Sequence, residues 1–173
     1  TGRNESVVSD VVYRAEIPLT RVKGPLRLAQ MPAEREPVRF GTHGPIARHY
    51  GIRGEVEEPH ATTIDYVIAA PGLLLGTLGG ALEARGIAAS EGHLTAVAHG
   101  EVEVEAGVLV LRRIHVVFVL KGAAEEKVDV ASRAHDVFKI QCPVYRSLYQ
   151  AIDITSELKI GLRLVYDQFI CNE

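Results

Sequence analysis

A cysteine at the predicted start of a short helix is the residue of this chain best placed for chemistry. Cys142 opens the segment Cys142-Pro143-Val144-Tyr145-Arg146-Ser147-Leu148. Proline fits the first helical position because its φ is fixed and it has no N–H to leave unpaired, so Cys142 is the predicted N-cap. Free backbone N–H groups and the helix dipole favour a thiolate there. Cys142 is therefore either a redox thiol or only a small residue that starts a helix.

Few other side chains offer that thiol a partner. Cys171 is predicted to be a free cysteine, although it could in principle reach Cys142. His135 lies seven residues before Cys142 and is predicted to be a helix-face residue rather than a general base.

Three further histidines lie near several glutamates at spacings that match no compact zinc signature, so we predict no metal site and no cofactor. These are His43, His49 and His60, with Glu55, Glu57 and Glu58 nearby.

Composition narrows the class of protein. The chain has 173 residues, 47% of them hydrophobic, which suits one domain with a full core. Its formal net charge is −3 and it has no run of basic residues, so nucleic acid is not an expected partner. Two cysteines are too few for a secreted disulfide scaffold, and no signal-peptide pattern is seen. We therefore expect a cytoplasmic protein.

The N-terminal part predicts short strands followed by a loop. Strands are expected from Val7 to Ile17, from Leu26 to Met31 and from Val38 to Phe40, each ending at proline or glycine. From Gly41 to Pro59 the sequence has no periodicity, which indicates a long surface loop. Such loops are uncommon unless they cover or bind something, so recruitment of a partner is one hypothesis for it.

An uncharged segment from Tyr66 to Leu82 predicts a pair of central helices. Thr62 and Asp65 resemble a capping box, so a helix should begin there. Pro71 should break it near Ala70, with a second helix from Gly72 to Arg85. The segment is short for a membrane span and rich in glycine, so we expect no membrane partner. We expect instead a helix that is buried on all sides in the core of the protein.

The second half predicts a hairpin, two helices and a strand. The hairpin joins His93–Glu105 to Val108–Leu120 through an Ala-Gly turn. A helix from Ala124 to Phe138 should turn one apolar face to the sheet, namely Val128, Ala131, Ala134, Val137 and Phe138. After the short helix at Cys142, residues 152–160 alternate as a final strand.

This order of elements resembles the OsmC/Ohr family of osmotically induced and organic-hydroperoxide-resistance proteins. The resemblance covers most of the chain and rests on the apolar helix from Ala69 to Gly86, on Leu111-Arg112-Arg113-Ile114, and on Ala134-His135 followed by Cys142-Pro143-Val144. It implies one α+β domain over residues 1–173, in which antiparallel sheets wrap around two central helices of an intertwined homodimer.

The resemblance also implies a chemistry and shows where this chain departs from it. Family enzymes reduce organic hydroperoxides with a peroxidatic cysteine on the central helix and a resolving cysteine in the Cys-Pro-Val motif, which Cys142 matches. The peroxidatic position falls on Leu73, and the acidic residue expected near the start of that helix falls at about Thr63. Asp65 would point the wrong way to replace it, because two residues turn a helix through about 200°. Arg14, Arg21 and Arg39 are all candidates for the activating arginine.

Two functions remain open. One is an OsmC-like homodimer without two-cysteine peroxidase activity that binds a small apolar ligand where Leu73 replaces the nucleophile. The other is a divergent thiol-dependent peroxidase or redox sensor that uses Cys142, alone or with Cys171, and takes an organic hydroperoxide.

Overall fold

The computed structural model describes residues 11–161, except for the side chain of Lys139. Its contacts divide the chain into two compact units with the boundary between Thr63 and Ile64. The first unit holds a three-stranded antiparallel sheet in the order β1-β2-β3. These strands are Leu19–Lys23, Leu26–Ala29 and Val38–Phe40.

The strand predicted between Val7 and Ile17 is wrong for residues 11–17, which have no regular structure, while residues 7–10 lie outside the described chain. Strand β1 begins only after Pro18. The turn at Gly24, whose φ is +51°, brings Lys23 opposite Leu26, so the pairing of β1 with β2 starts beside the turn. It ends where Leu19 pairs with Ala29, the last residue of β2, and the residues before Leu19 have no strand to pair with in this sheet. The other two predicted strands are present, with β2 ending two residues early.

The segment predicted as a loop contains a short helix, α1, over Gly44–His49. Pro45 favours this helix start because it occupies the first turn, where an N–H would lack a partner. The ends of the segment are closed by a hydrogen bond from the Gly41 N–H to the Ala61 carbonyl at 2.9 Å. A side chain at Gly41 would come within 2.8 Å of Cβ of His60, so glycine permits this close approach.

Two central helices are present, but their junction lies later than predicted. Helix α2 spans Thr63–Gly72 and α3 spans Leu75–Glu83. Pro71 lies inside α2, and the Leu73 N–H still bonds to the Ala69 carbonyl at 3.1 Å. A proline removes only the hydrogen bond of its own missing N–H, so the next bonds of the helix can still form. The break therefore follows Pro71, at Leu73 and Leu74.

The stretch Thr63–Glu83 is long and apolar enough to cross a membrane by length and composition, with a mean hydropathy of 1.4. Only 17% of its apolar window is buried in the single chain. The prediction of burial on all sides is therefore wrong for one chain. Leu78 and Leu82 face the core, whereas the opposite face, which includes Leu73 and Gly76, is exposed.

The second unit contains a mixed sheet in the order β4-β5-β6. Strands β4 and β5, Leu94–Glu105 and Val108–Leu120, form the predicted hairpin. Its turn at Ala106 and Gly107 has φ values of +48° and +82°, as a tight two-residue hairpin turn requires. Strand β6, Asp153–Ile160, pairs with β5 in parallel, where the resemblance predicted antiparallel sheets.

Helix α4, Val128–Gln141, follows a 3-10 turn over Glu125–Lys127 and packs on this sheet. Ala131, Ala134 and Phe138 are buried as predicted, but Val137 is 48% exposed. His135 lies toward the core instead. The core face of the sheet supplies Ile114, Val116, Phe118 and Leu120 from β5, together with Leu78 and Leu82 of α3.

Candidate functional site

Cys142 joins two helices. It ends α4, where its N–H bonds to the Phe138 carbonyl at 3.0 Å, and it is the N-cap of α5, Pro143–Leu148. Its φ of −68° and ψ of 113° are extended, as expected for a residue that precedes proline. The backbone N–H of Tyr145 donates a hydrogen bond to its Sγ atom at 3.0 Å. The structure therefore confirms the predicted N-cap.

The side chain of Cys142 is 2% exposed and borders a small apolar cavity. The volume of the cavity is about 20 Å³, which is enough for one water-sized group. Its lining comes from α2, β5, α4, α5 and β6, and consists of Pro71, Val116, Phe118, Phe138, Cys142, Tyr145, Ile154, Thr155 and Ser156. The site is thus a mainly hydrophobic chamber beside a thiol.

A buried histidine lies behind this chamber. His135 is 5% exposed, and its Nε2 atom lies 3.1 Å from Oγ of Ser156. Its ring packs against Phe118 and stacks with Phe138, at centroid distances of 5.7 and 6.4 Å. Cys142 lies seven positions after His135, which corresponds to about 10 Å along the helix axis. His135 is therefore too far along α4 to take a proton from the thiol directly.

Ser156 is a polar lining residue that the sequence analysis missed. Strand alternation places it on the core face of β6 with Ile154 and Leu158, where Val116 of β5 is its register partner. The neighbouring Thr155 also borders the cavity, while its Oγ1 atom lies 2.8 Å from Nδ1 of His115. The sequence signal that could have identified Ser156 was a hydroxyl residue between Ile154 and Leu158, at a position where the alternation of the strand calls for an apolar side chain.

Leu73, where the resemblance puts the peroxidatic cysteine, is not among the lining residues of the cavity. Its side chain is 74% exposed in the single chain. Pro71 does line the cavity, and two residues of chain span at most about 7 Å, so Leu73 lies near the chamber. Leu73 is therefore a surface residue of the single chain, although the prediction of a helix buried on all sides would have placed it in the core.

Two other candidate residues, Arg39 and His60, contact the same carboxylate in the first unit. Arg39 pairs with Glu58 in the first unit, with Nη1 3.2 Å from Oε1. His60 contacts the same oxygen at 3.1 Å. This hydrogen bond from His60, with the charges of His60 and Arg39, lowers the pKa of Glu58 although partial burial opposes it.

Arg14 lies in the irregular segment before β1, and Arg21 lies on β1. Asp65 is in the first turn of α2, one residue after the boundary of the second unit. His43 precedes α1, and His49 is in its last turn beside Tyr50. Cys171 lies outside the described residues.

Within residues 11–161 no three His, Cys, Asp or Glu side chains are grouped to hold a metal ion.

Comparison of the structure with solved structures defines its class. It is similar to an OsmC-like protein from Mycoplasma pneumoniae, with a TM-score of 0.62 at 12% identity over 88% of this chain and 100% of that one. An OsmC-like protein of unknown function from Vibrio cholerae gives 0.60 at 10% identity, over 84% and 99%. An organic hydroperoxide resistance protein from Elizabethkingia anophelis gives 0.52 at 17% identity, over 88% and 100%.

The fold of this chain is therefore the α+β fold of OsmC-like and organic hydroperoxide resistance proteins, as the resemblance predicted. The likeness is one of structure, because the sequence identities are below 20%. No protein-family model matches the chain, and no curated protein matches it by sequence.

Proposed function

We propose that this protein belongs to the OsmC/Ohr family, lacks two-cysteine peroxidase activity, and binds a small apolar ligand as a homodimer. The observation that carries the proposal is the hydrophobic chamber beside Cys142, next to a helix junction where leucine stands at position 73. An apolar wall with a few polar groups is the usual character of a small-molecule site.

The missing activity follows from the chemistry of the two-cysteine cycle. A peroxidatic thiolate attacks the peroxide O–O bond, which releases an alcohol and leaves a sulfenic acid on sulfur. A resolving thiol then attacks that sulfur, releasing water and forming a disulfide. The leucine side chain has no nucleophilic atom that could attack the peroxide. No sulfenic acid can therefore form at residue 73, and Cys142 has nothing to resolve there.

The dimer is proposed from the exposed side of the central helices. Leu73, Gly76, Thr77 and Gly80 share that side, and a Cβ added at Gly76 or Gly80 would meet nothing within 4 Å in the single chain. Small residues at this spacing allow two helices to approach closely, and covering Leu73 removes apolar surface from water. A second copy on this face would place the ligand between the chains, close to Pro71 and the chamber.

We also propose that the protein is soluble and works in a reducing compartment. Such a compartment keeps a free thiol like Cys142 reduced. The apolar surface of the central helices is then covered by the second copy rather than by lipid.

Calorimetric titration of the purified protein with ethylbenzene tests the ligand proposal. We expect saturable binding that is lost when Leu73 is replaced by glutamate, because a charge beside the ligand would have to be desolvated. The absence of saturable binding up to the solubility limit of ethylbenzene would contradict this function.

The second candidate is a thiol redox sensor based on Cys142. It is favoured by the position of the Cys142 Sγ atom, which accepts a hydrogen bond from the Tyr145 N–H and borders the cavity. Mass spectrometry after a sub-stoichiometric pulse of cumene hydroperoxide decides this point. Selective conversion of Cys142 to a sulfenic acid would support a sensor, and an unmodified Cys142 would rule it out.

A further inference from the structure

We propose that the first unit carries a ligand site of its own, a cleft that takes a small organic cation with an apolar body. The cleft lies between the turn that joins β1 to β2 and the segment 52–58, which follows α1. It shares no lining residue with the Cys142 chamber, so its ligand is independent of the one proposed there. This acidic cleft is lined by Lys23, Gly24, Pro25, Leu26, Ile52, Glu55, Val56, Glu57 and Glu58.

Both walls of the acidic cleft are anchored by hydrogen bonds. At the start of one wall, the Ile52 N–H bonds to a carbonyl of α1 at 3.1 Å, which closes the end of that helix. At the end of the same wall, Glu58 accepts a hydrogen bond from Arg39 at 3.2 Å. The opposite wall is fixed at its turn, where Nε of Arg27 donates to the Pro25 carbonyl at 3.1 Å. The cleft is therefore formed before a ligand arrives, which lowers the cost of ordering it on binding.

The size and lining of the acidic cleft suit a small molecule with an apolar part. Its volume is about 340 Å³, within the range of about 300–1,000 Å³ that is usual for ligand sites. The apolar side chains of Leu26, Ile52 and Val56 are half-buried, whereas the three glutamates are exposed. A ligand can therefore rest an apolar body on the first set and turn a polar group toward the second.

The charges of the acidic cleft favour a cation as that polar group. Glu58 is already paired with Arg39 and His60, but within residues 11–161 Glu55 and Glu57 have no ion-pair partner. A carboxylate only accepts hydrogen bonds, and its bonds to an ammonium group are among the strong ones in proteins. The cleft therefore repels an anion and offers two carboxylates to an ammonium group.

A metal ion is the other kind of cation that carboxylates bind. Calcium takes about six to eight oxygen ligands, and magnesium requires a nearly regular octahedron. The glutamates of the cleft belong to no group of side chains that could hold a metal ion within the described part of the chain. An ammonium group on an apolar body, by contrast, uses both the charged and the apolar parts of the lining.

The test compares two probes of the same shape and heavy-atom count, phenethylamine, which is a cation at neutral pH, and phenethyl alcohol, which is not. Calorimetry on the full chain measures both affinities. We expect saturable binding of the amine that weakens as salt is added, because salt screens exposed charges. Glu55→Gln combined with Glu57→Gln should weaken the amine about 3- to 30-fold, as expected for the loss of two exposed ion pairs, and leave the alcohol unchanged.

Two further variants separate the cleft from the overall charge of the protein. Glu34→Gln combined with Glu36→Gln is the matched control, since it removes the same charge from exposed residues of the first unit that do not line the cleft. It should keep the amine affinity within about twofold of the wild type. Lys23→Gln removes the positive charge of the lining and should tighten amine binding, a gain that damage to the fold would not produce.

Absence of saturable phenethylamine binding would overturn the inference. So would an amine affinity that the loss of the Glu55 and Glu57 charges left unchanged, or that the matched control weakened equally. None of these results bears on ethylbenzene, whose binding tests the proposed function separately.

Discussion

The backbone N–H of Tyr145 donates to the Sγ atom of Cys142 at 3.0 Å, so this thiol has a structural task as well as any chemical one. It satisfies one of the free N–H groups at the start of α5. The same residue also ends α4 and is almost fully buried. A cysteine at this position is therefore useful to the fold even without a second cysteine to react with.

We predict that Cys142→Ala is less stable than Cys142→Ser by about 1 kcal/mol, because serine keeps an acceptor for the Tyr145 N–H and alanine does not. Urea unfolding measures both free energies. Ser147→Ala, which removes a hydroxyl on the exposed side of the same helix, is the control and should cost no more than about 0.5 kcal/mol. Equal stability of the two Cys142 variants would contradict the capping role.

The contact between α2 and β4 gives a second prediction. A Cβ at Gly100 would overlap Cγ1 and Cδ1 of Ile68, and the branched isoleucine has little freedom to move away. Gly100→Ala should therefore lower the free energy of unfolding by about 1–3 kcal/mol. Adding Ile68→Ala removes the overlapping atoms, so the double variant should be no less stable than Ile68→Ala alone. Simple additivity of the two losses would show that these residues do not meet.

The dimer proposal predicts that Leu73→Glu shifts the protein to a monomer in analytical ultracentrifugation. Leu73 is 74% exposed in one chain, and a charge there is costly only if a second copy covers it. Leu73→Met, which keeps an apolar side chain of similar volume, is the matched control and should remain dimeric. A wild-type protein that sediments as a monomer, or a Leu73→Glu variant that stays dimeric, would contradict the proposed interface.

The ion pairs of Glu58 with Arg39 and His60 predict that the stability of the folded protein depends on pH. The hydrogen bond from His60, and the charges of His60 and Arg39, lower the pKa of Glu58 in the folded protein. A lowered pKa stabilises the folded state above the ordinary value of about 4.3, and this stabilisation is lost as the pH falls through the folded pKa.

Melting temperatures of the wild type and of Glu58→Gln, measured from pH 6 downward through this range, check the effect. The difference in favour of the wild type should be present at about pH 6 and disappear in acid. A difference that stays constant with pH would show that the charge of Glu58 has no part in it.

Short-range rules predicted the elements whose geometry depends on neighbouring residues. The hairpin turn at Ala106 and Gly107 and the helix start at Cys142 follow from local backbone preferences, and both are confirmed. The start of α2 was also predicted to within one residue from Thr62 and Asp65.

Tertiary contacts decided what the sequence alone did not. Nothing in the alternation of β6 tells whether it pairs in parallel, because side-chain period is the same in both arrangements. The exposure of Leu73 depends on which face of the central helices the sheet covers. Ser156 was missed because its importance comes from His135 and Cys142, which the fold brings to it from α4.

The most direct test of the central claim is dithiothreitol-dependent consumption of cumene hydroperoxide by the purified protein. We predict that the wild type consumes the peroxide no faster than its Cys142→Ala variant, because leucine at position 73 cannot begin the two-cysteine cycle. Catalytic turnover comparable to that of a two-cysteine organic hydroperoxide resistance protein, assayed side by side, would contradict the account.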